Sequence, residues 1–99
     1  MIIVIGTIRA PVQNLEALRA PMAAIVSASR AEEGCVEYSY GADMLDRGLI
    51  HVIEVWRDRA CLDRHLTQPH SDVWRSERAA LGVGERRLFM YEAGEPREI

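Results

Sequence analysis

Apolar residues recur along this chain in two rhythms, one of period two and one of period three to four. Ile2-Ile3-Val4-Ile5-Gly6-Thr7-Ile8 is short and β-branched, which predicts a strand. Both of its faces are apolar, Ile3 and Ile5 on one and Ile2, Val4 and Ile8 on the other. Pro11 closes the strand, and Asn14 is placed to cap a helix. Leu15, Leu18, Met22, Ile25 and Val26 then repeat at helical spacing and predict one buried stripe. Pro21 lies inside the stripe and is expected to kink or restart the helix, with Gly34 as its C-cap.

A second strand is predicted over residues 36–42, with Val36, Tyr38 and Tyr40 on one face. Residues 43–48 connect it to a third, over 49–56, that again has two apolar faces. Leu49, Ile53 and Val55 lie on one and Ile50, Val52 and Trp56 on the other. Asp58 caps a short helix that Pro69 ends. A further helical segment over 71–81 carries Val73, Trp74 and Leu81; Gly82-Val83-Gly84 breaks it. The last strand is Arg87-Leu88-Phe89-Met90-Tyr91, followed by a polar tail from Gly94.

This order, βαββαβ with an extra helical turn, predicts an α+β, ferredoxin-like fold with an antiparallel four-stranded sheet. Helices cover one face of such a sheet. Strands that are apolar on both sides therefore predict a homodimer through the open face.

Composition narrows the partners. With 99 residues, no repeat and no linker, the chain reads as a single domain over 1–99. Its 48% hydrophobic and 27% charged content is that of an ordinary globular protein. A net charge of −3 argues against nucleic acid or an anionic membrane as partner. No run is long enough to span a bilayer, and Met1-Ile2-Ile3 lacks the basic region of a secretion signal, so a cytoplasmic location is expected. Cys35 and Cys61 form neither a disulfide framework nor a metal motif, and read as reduced, small apolar residues.

The candidate chemistry centres on Glu54 to His70, with aromatic residues before and after it. Helical spacing from Cys61 and Leu62 turns His65 inward, and Glu54 shares a strand face with Trp56. If that face meets the helix, Glu54 and His65 form an acid–base pair suited to proton abstraction. The same spacing fits a core histidine satisfied by a carboxylate, so it does not decide between them. His70, at a helix junction after Pro69, is a candidate contact for a polar substituent. Tyr38, Trp56 and Trp74 could line a pocket between sheet and helices, although aromatics at this size equally serve the core. A five-residue separation broken by proline does not hold His65 and His70 on one helix face, so no metal is expected. No phosphate loop, serine nucleophile elbow, flavin or nicotinamide fingerprint is present, so no cofactor is expected.

Glu32-Glu33-Gly34-Cys35 with Tyr38, then Glu54-Val55-Trp56-Arg57-Asp58, His65 and Pro69-His70, resembles the antibiotic biosynthesis monooxygenase (ABM) family. The likeness runs from the first strand through Tyr91 and implies a dimeric ferredoxin-like α/β barrel. One branch oxidises phenols or quinols with oxygen and neither metal nor flavin, the deprotonated substrate giving an electron to oxygen. On that analogy His65 is the catalytic base and Glu54 orients it, while Tyr38, Trp56, His70 and Trp74 bind a small aromatic substrate. Another branch isomerises a phosphorylated dione and shares a pattern like His65-Leu66-Thr67-Gln68-Pro69-His70, which makes a carbonyl substrate the alternative. A non-catalytic ligand-binding dimer is the third reading. Haem degradation is disfavoured, because Gly6 and Thr7 stand where that branch has an asparagine. On this reading Glu32 to Tyr38 is architecture, and the chemistry lies in Glu54 to His70.

Overall fold

The computed structural model describes all 99 residues. Its elements are β1 (Ile2–Arg9), a 3-10 turn (Val12–Asn14), α1 (Leu15–Arg30), β2 (Cys35–Ala42), β3 (Leu49–Trp56), α2 (Arg59–Leu66), α3 (Pro69–Ala80) and β4 (Gly84–Glu92). The strands form one antiparallel sheet in the order β2-β3-β1-β4. This is the ferredoxin-like α+β fold, as the element order requires.

The alternation in β1 and β3 sorts their side chains as expected. Ile2, Val4, Ile8, Ile50, Val52 and Trp56 are buried beneath the helices with Leu18, Ile25, Cys61, Leu62 and Trp74. The opposite face stays open, and Ile5, Ile53, Phe89 and Tyr91 are exposed on it. Ile5 pairs with Ile53 on one side and with Phe89 on the other, so the patch is continuous across three strands.

Several local expectations change. Asn14 makes no side-chain cap; its Nδ2 donates to the Leu81 carbonyl at 2.8 Å and ties the start of α1 to the end of α3. The α1 helix runs through Pro21 without a break in its assignment. Its C-cap is Ala31, and Gly34 serves instead as the left-handed residue of the turn that follows, with φ +82°. A β-bulge between Cys35 and Glu37 removes Val36 from the face of Tyr38 and Tyr40 and leaves it exposed. Asp58 does cap α2, accepting from Cys61 N at 2.9 Å. The helix after it begins at Pro69, two residues before the expected start, because proline is favoured at a first helical position. The last strand is longer than predicted and begins at Gly84.

Among the glycines, Gly6 is the one most closely approached by its surroundings. A Cβ there would collide with the Arg87 carbonyl of β4, next to the register shift between Thr7 and Arg9. Gly6→Ala must push two hydrogen-bonded strands apart. It is expected to cost roughly 1–3 kcal/mol, as overpacking does, read as a lowered denaturation midpoint at unchanged m-value.

Candidate active site

His65 sits in the last turn of α2, where the spacing from Cys61 and Leu62 turns it inward; it is 4% exposed. Its ring lies against Trp56, with centroids 4.7 Å apart, and against Tyr38 at 5.4 Å. Its Nδ1 meets Glu32 Oε2 at 2.6 Å. An ionised carboxylate only accepts, so this contact places the proton of the neutral imidazole on Nδ1 and leaves Nε2 a free acceptor. Nε2 has no protein partner and is not sealed from solvent.

Glu32 comes from the turn after α1, which is pinned on several sides. Glu32 N donates to Ser29 O at 3.0 Å, Cys35 N to Glu32 O at 3.2 Å, and Arg57 N to Gly34 O at 2.8 Å. Gly34 packs directly on Cys61 of α2, where a Cβ would collide with the sulfur. The same Glu32 Oε2 also accepts from His70 Nε2 at 3.1 Å. His70 is delivered by the corner between α2 and α3, which Pro69 starts and Ser71 secures by donating its hydroxyl to the His65 carbonyl at 2.6 Å.

The expected Glu54–His65 hydrogen bond is not formed. Glu54 Oε1 instead accepts from Trp56 Nε1 at 2.9 Å, two residues along the same strand face. Glu54 and His65 do share a cavity of about 270 Å³ between the sheet and α2–α3. Tyr38, Tyr40, Ser71 and Trp74 line it as well, as do Arg75, Arg78 and Arg86. Trp56 is fully buried and supports His65 from behind rather than lining the cavity. His70 faces a separate shallow groove between α1 and α3. Of the six residues singled out in the sequence, His65, Glu54, Tyr38 and Trp74 line the cavity and Trp56 and His70 stand outside it.

The cavity has a distinct electrostatic character. Burial raises the Glu54 carboxyl above its ordinary range, and the Trp56 hydrogen bond and the nearby His65 and Arg86 only partly offset this. Burial likewise raises the phenols of Tyr38 and Tyr40, whose hydroxyls are 3.2 Å apart, so both stay neutral. The Arg78 guanidinium is lowered by burial and then by Arg86 beside it. Sequence reasoning missed Glu32 as the histidine's partner and the three arginines altogether. The only signal for Glu32 was its place in the family-like segment, and the arginines lie on two elements that only folding brings together.

Residues 1–77 match the family described as antibiotic biosynthesis monooxygenase, and the chain belongs to that family. A structure from Deinococcus radiodurans described as a candidate antibiotic biosynthesis monooxygenase is 29% identical, with a TM-score of 0.92, covering 100% of this chain and 98% of that one. PA3566 from Pseudomonas aeruginosa is 32% identical with a TM-score of 0.78, covering 97% and 94%. By sequence, the candidate monooxygenase Rv0793 of Mycobacterium tuberculosis is 36% identical over 61 residues, 62% of this chain and 59% of that protein. The chain spans about half the length of the curated relatives it matches. No helix is long and apolar enough to cross a membrane.

A raised carboxyl is a stability term with a definite sign. Because the folded-state value of Glu54 lies above the unfolded one, its contribution is complete at low pH and lost as pH rises through the folded value. Glu54→Gln keeps an oxygen for Trp56 and removes the buried charge. Its melting temperature should exceed that of the unaltered protein at neutral pH, with the gain vanishing near pH 4, about the unperturbed carboxyl range.

Proposed function

We propose that the protein is a cofactor-independent monooxygenase that oxidises a small phenolic or quinol substrate with oxygen. The observation that carries this reading is the pairing of His65 Nδ1 with Glu32, which leaves Nε2 unpaired on a residue that lines the cavity. His65 removes the phenolic proton, and Glu32 holds the ring and stabilises the imidazolium that forms. Arg78 and Arg86 favour the phenolate. The phenolate passes one electron to oxygen, and the phenoxyl radical and superoxide combine into a carbon-bound peroxide that His65 protonates. Loss of the carbon-bound proton and the distal hydroxide as water leaves the quinone carbonyl, so one oxygen atom enters the product. Glu54, raised by burial, is placed to pass the second proton.

A panel of quinols and naphthols should show oxygen uptake that chelator does not abolish and His65→Ala does. Glu32→Gln should lower kcat by about 10²-fold or more, the usual range for a positioned base. Uptake surviving in His65→Ala would overturn the assignment.

The three arginines favour a second reading, proton transfer on a phosphorylated dione with His65 as the same base. It predicts solvent exchange of a substrate C–H proton without oxygen, which the monooxygenase reading does not.

The open apolar sheet face supports a homodimer. Phe89→Asp is expected to convert a dimer into a monomer by light scattering while leaving the fold intact by circular dichroism, because Phe89 is half exposed and lies off the core.

A further inference from the structure

Glu32, His65 and His70 hold more than a hydrogen-bond network. Their ligating atoms all lie within 4.8 Å of one another, with Glu32 Oε2 2.6 Å from His65 Nδ1 and 3.1 Å from His70 Nε2. The proline-broken spacing does not hold the two imidazoles on one helix face. The corner at Pro69 instead puts one on each of two helices and brings the rings to 6.0 Å, both directed at one carboxylate oxygen. We propose that these three residues form a site for a divalent transition-metal ion of the zinc type, and that occupancy of the site switches off the base His65.

The donor set selects the ion class. Two imidazoles and one carboxylate suit Zn²⁺ or Co²⁺, whereas Mg²⁺ and Ca²⁺ require mostly oxygen ligands. A tetrahedral ion with ligand bonds of about 2.0–2.1 Å needs its ligand atoms roughly 3.3 Å apart. Two of the present separations are shorter than that and the third is at most 4.8 Å, so adjustment of side-chain torsions suffices. The ion can reach the site. Glu32 borders an open groove of about 430 Å³ with Ala28, Ala31, Glu33, Arg64 and Gln68, and His70 borders the shallow groove that also holds Glu77. Of the groove-lining charges, Glu33 and Glu77 are acidic and Arg64 is basic, and Glu32 itself brings a carboxylate.

The functional consequence follows from proton bookkeeping. The ion takes Nδ1 of His65, so the single proton of that neutral ring must sit on Nε2. The other ring nitrogen of this cavity-lining residue then donates and cannot accept. This consequence rests on His65 being the base; the binding itself does not.

The test is Co²⁺ and Zn²⁺ titration of the purified protein, followed by equilibrium dialysis, thermal melting and the Co²⁺ d–d spectrum. One ion per chain should bind, and melting temperature should rise with ion concentration because binding favours the folded state. The spectrum should lack the thiolate charge-transfer band that Cys35 or Cys61 would give. His70→Ala, in which the ring replaced is partly exposed, should stay folded by circular dichroism and lose at least about tenfold in affinity, the smallest loss expected for a ligand given what supporting residues alone contribute. His51→Ala should bind unchanged, which separates the triad from the surface His51–Asp43 pair at 2.8 Å. Unaltered affinity in His70→Ala, or loss in His51→Ala, would overturn the site. Oxygen uptake that continues undiminished in protein loaded with Zn²⁺ would overturn the switch while leaving the site standing. Failure of His65→Ala to affect uptake would instead count against the function.

Discussion

The Glu32 carboxylate is where three separate segments of the chain meet at one atom. The turn after α1 supplies it, α2 supplies His65, the start of α3 supplies His70, and both imidazoles address the same oxygen. Hydrogen bonds to an ionised group are shorter and stronger than neutral ones, and here they are also largely shielded from water. Removing the carboxylate would free the tautomer of His65, the position of His70 and the contact between the α1–β2 turn and the two helices. That turn is held by backbone hydrogen bonds and by the seating of Gly34 against Cys61, so the carboxylate is presented by a rigid support.

The cavity beyond His65 extends this arrangement. Trp56 packs on the inner side of the imidazole and spends its own N–H on Glu54, so a buried carboxyl is partly satisfied without being neutralised. Around it stand two neutral phenols and three guanidinium groups. A site of this composition favours anions that form within it, because positive charge lines the walls and burial makes each interaction stronger than it is in water. The same site gives Glu54 its raised carboxyl, so the two acid–base groups of the cavity differ in character: one oriented imidazole, one carboxyl held towards its neutral form.

The sheet serves two purposes through one property. Residues alternate across it, so Val4, Val52 and Trp56 build the core while Ile5, Ile53 and Phe89 remain outside. Gly6 allows β1 and β4 to approach closely in the middle of the sheet. The helix-covered side carries the cavity, and the open side carries an apolar patch spanning three strands. The cavity and the apolar patch therefore lie on opposite faces of the sheet.

The element order, the antiparallel ferredoxin-like sheet and its two apolar faces were legible in the sequence, since period-two and helical spacing report which side of an element a residue occupies. The inward orientation of His65 and the capping by Asp58 were legible for the same local reason. Periodicity carries no information about which distant side chain lies opposite. Glu54, placed on the correct face, turned out to belong to Trp56, two residues away on its own strand. The true partner of His65 is separated from it by 33 residues and sits in a turn whose path depends on Gly34 meeting Cys61. The convergence of Arg75 and Arg78 with Arg86, and of His65 with His70 across a proline corner, likewise required the helices to be laid on the sheet. Local pattern determined what each element is and which way it faces; the packing of those elements decided which charges meet.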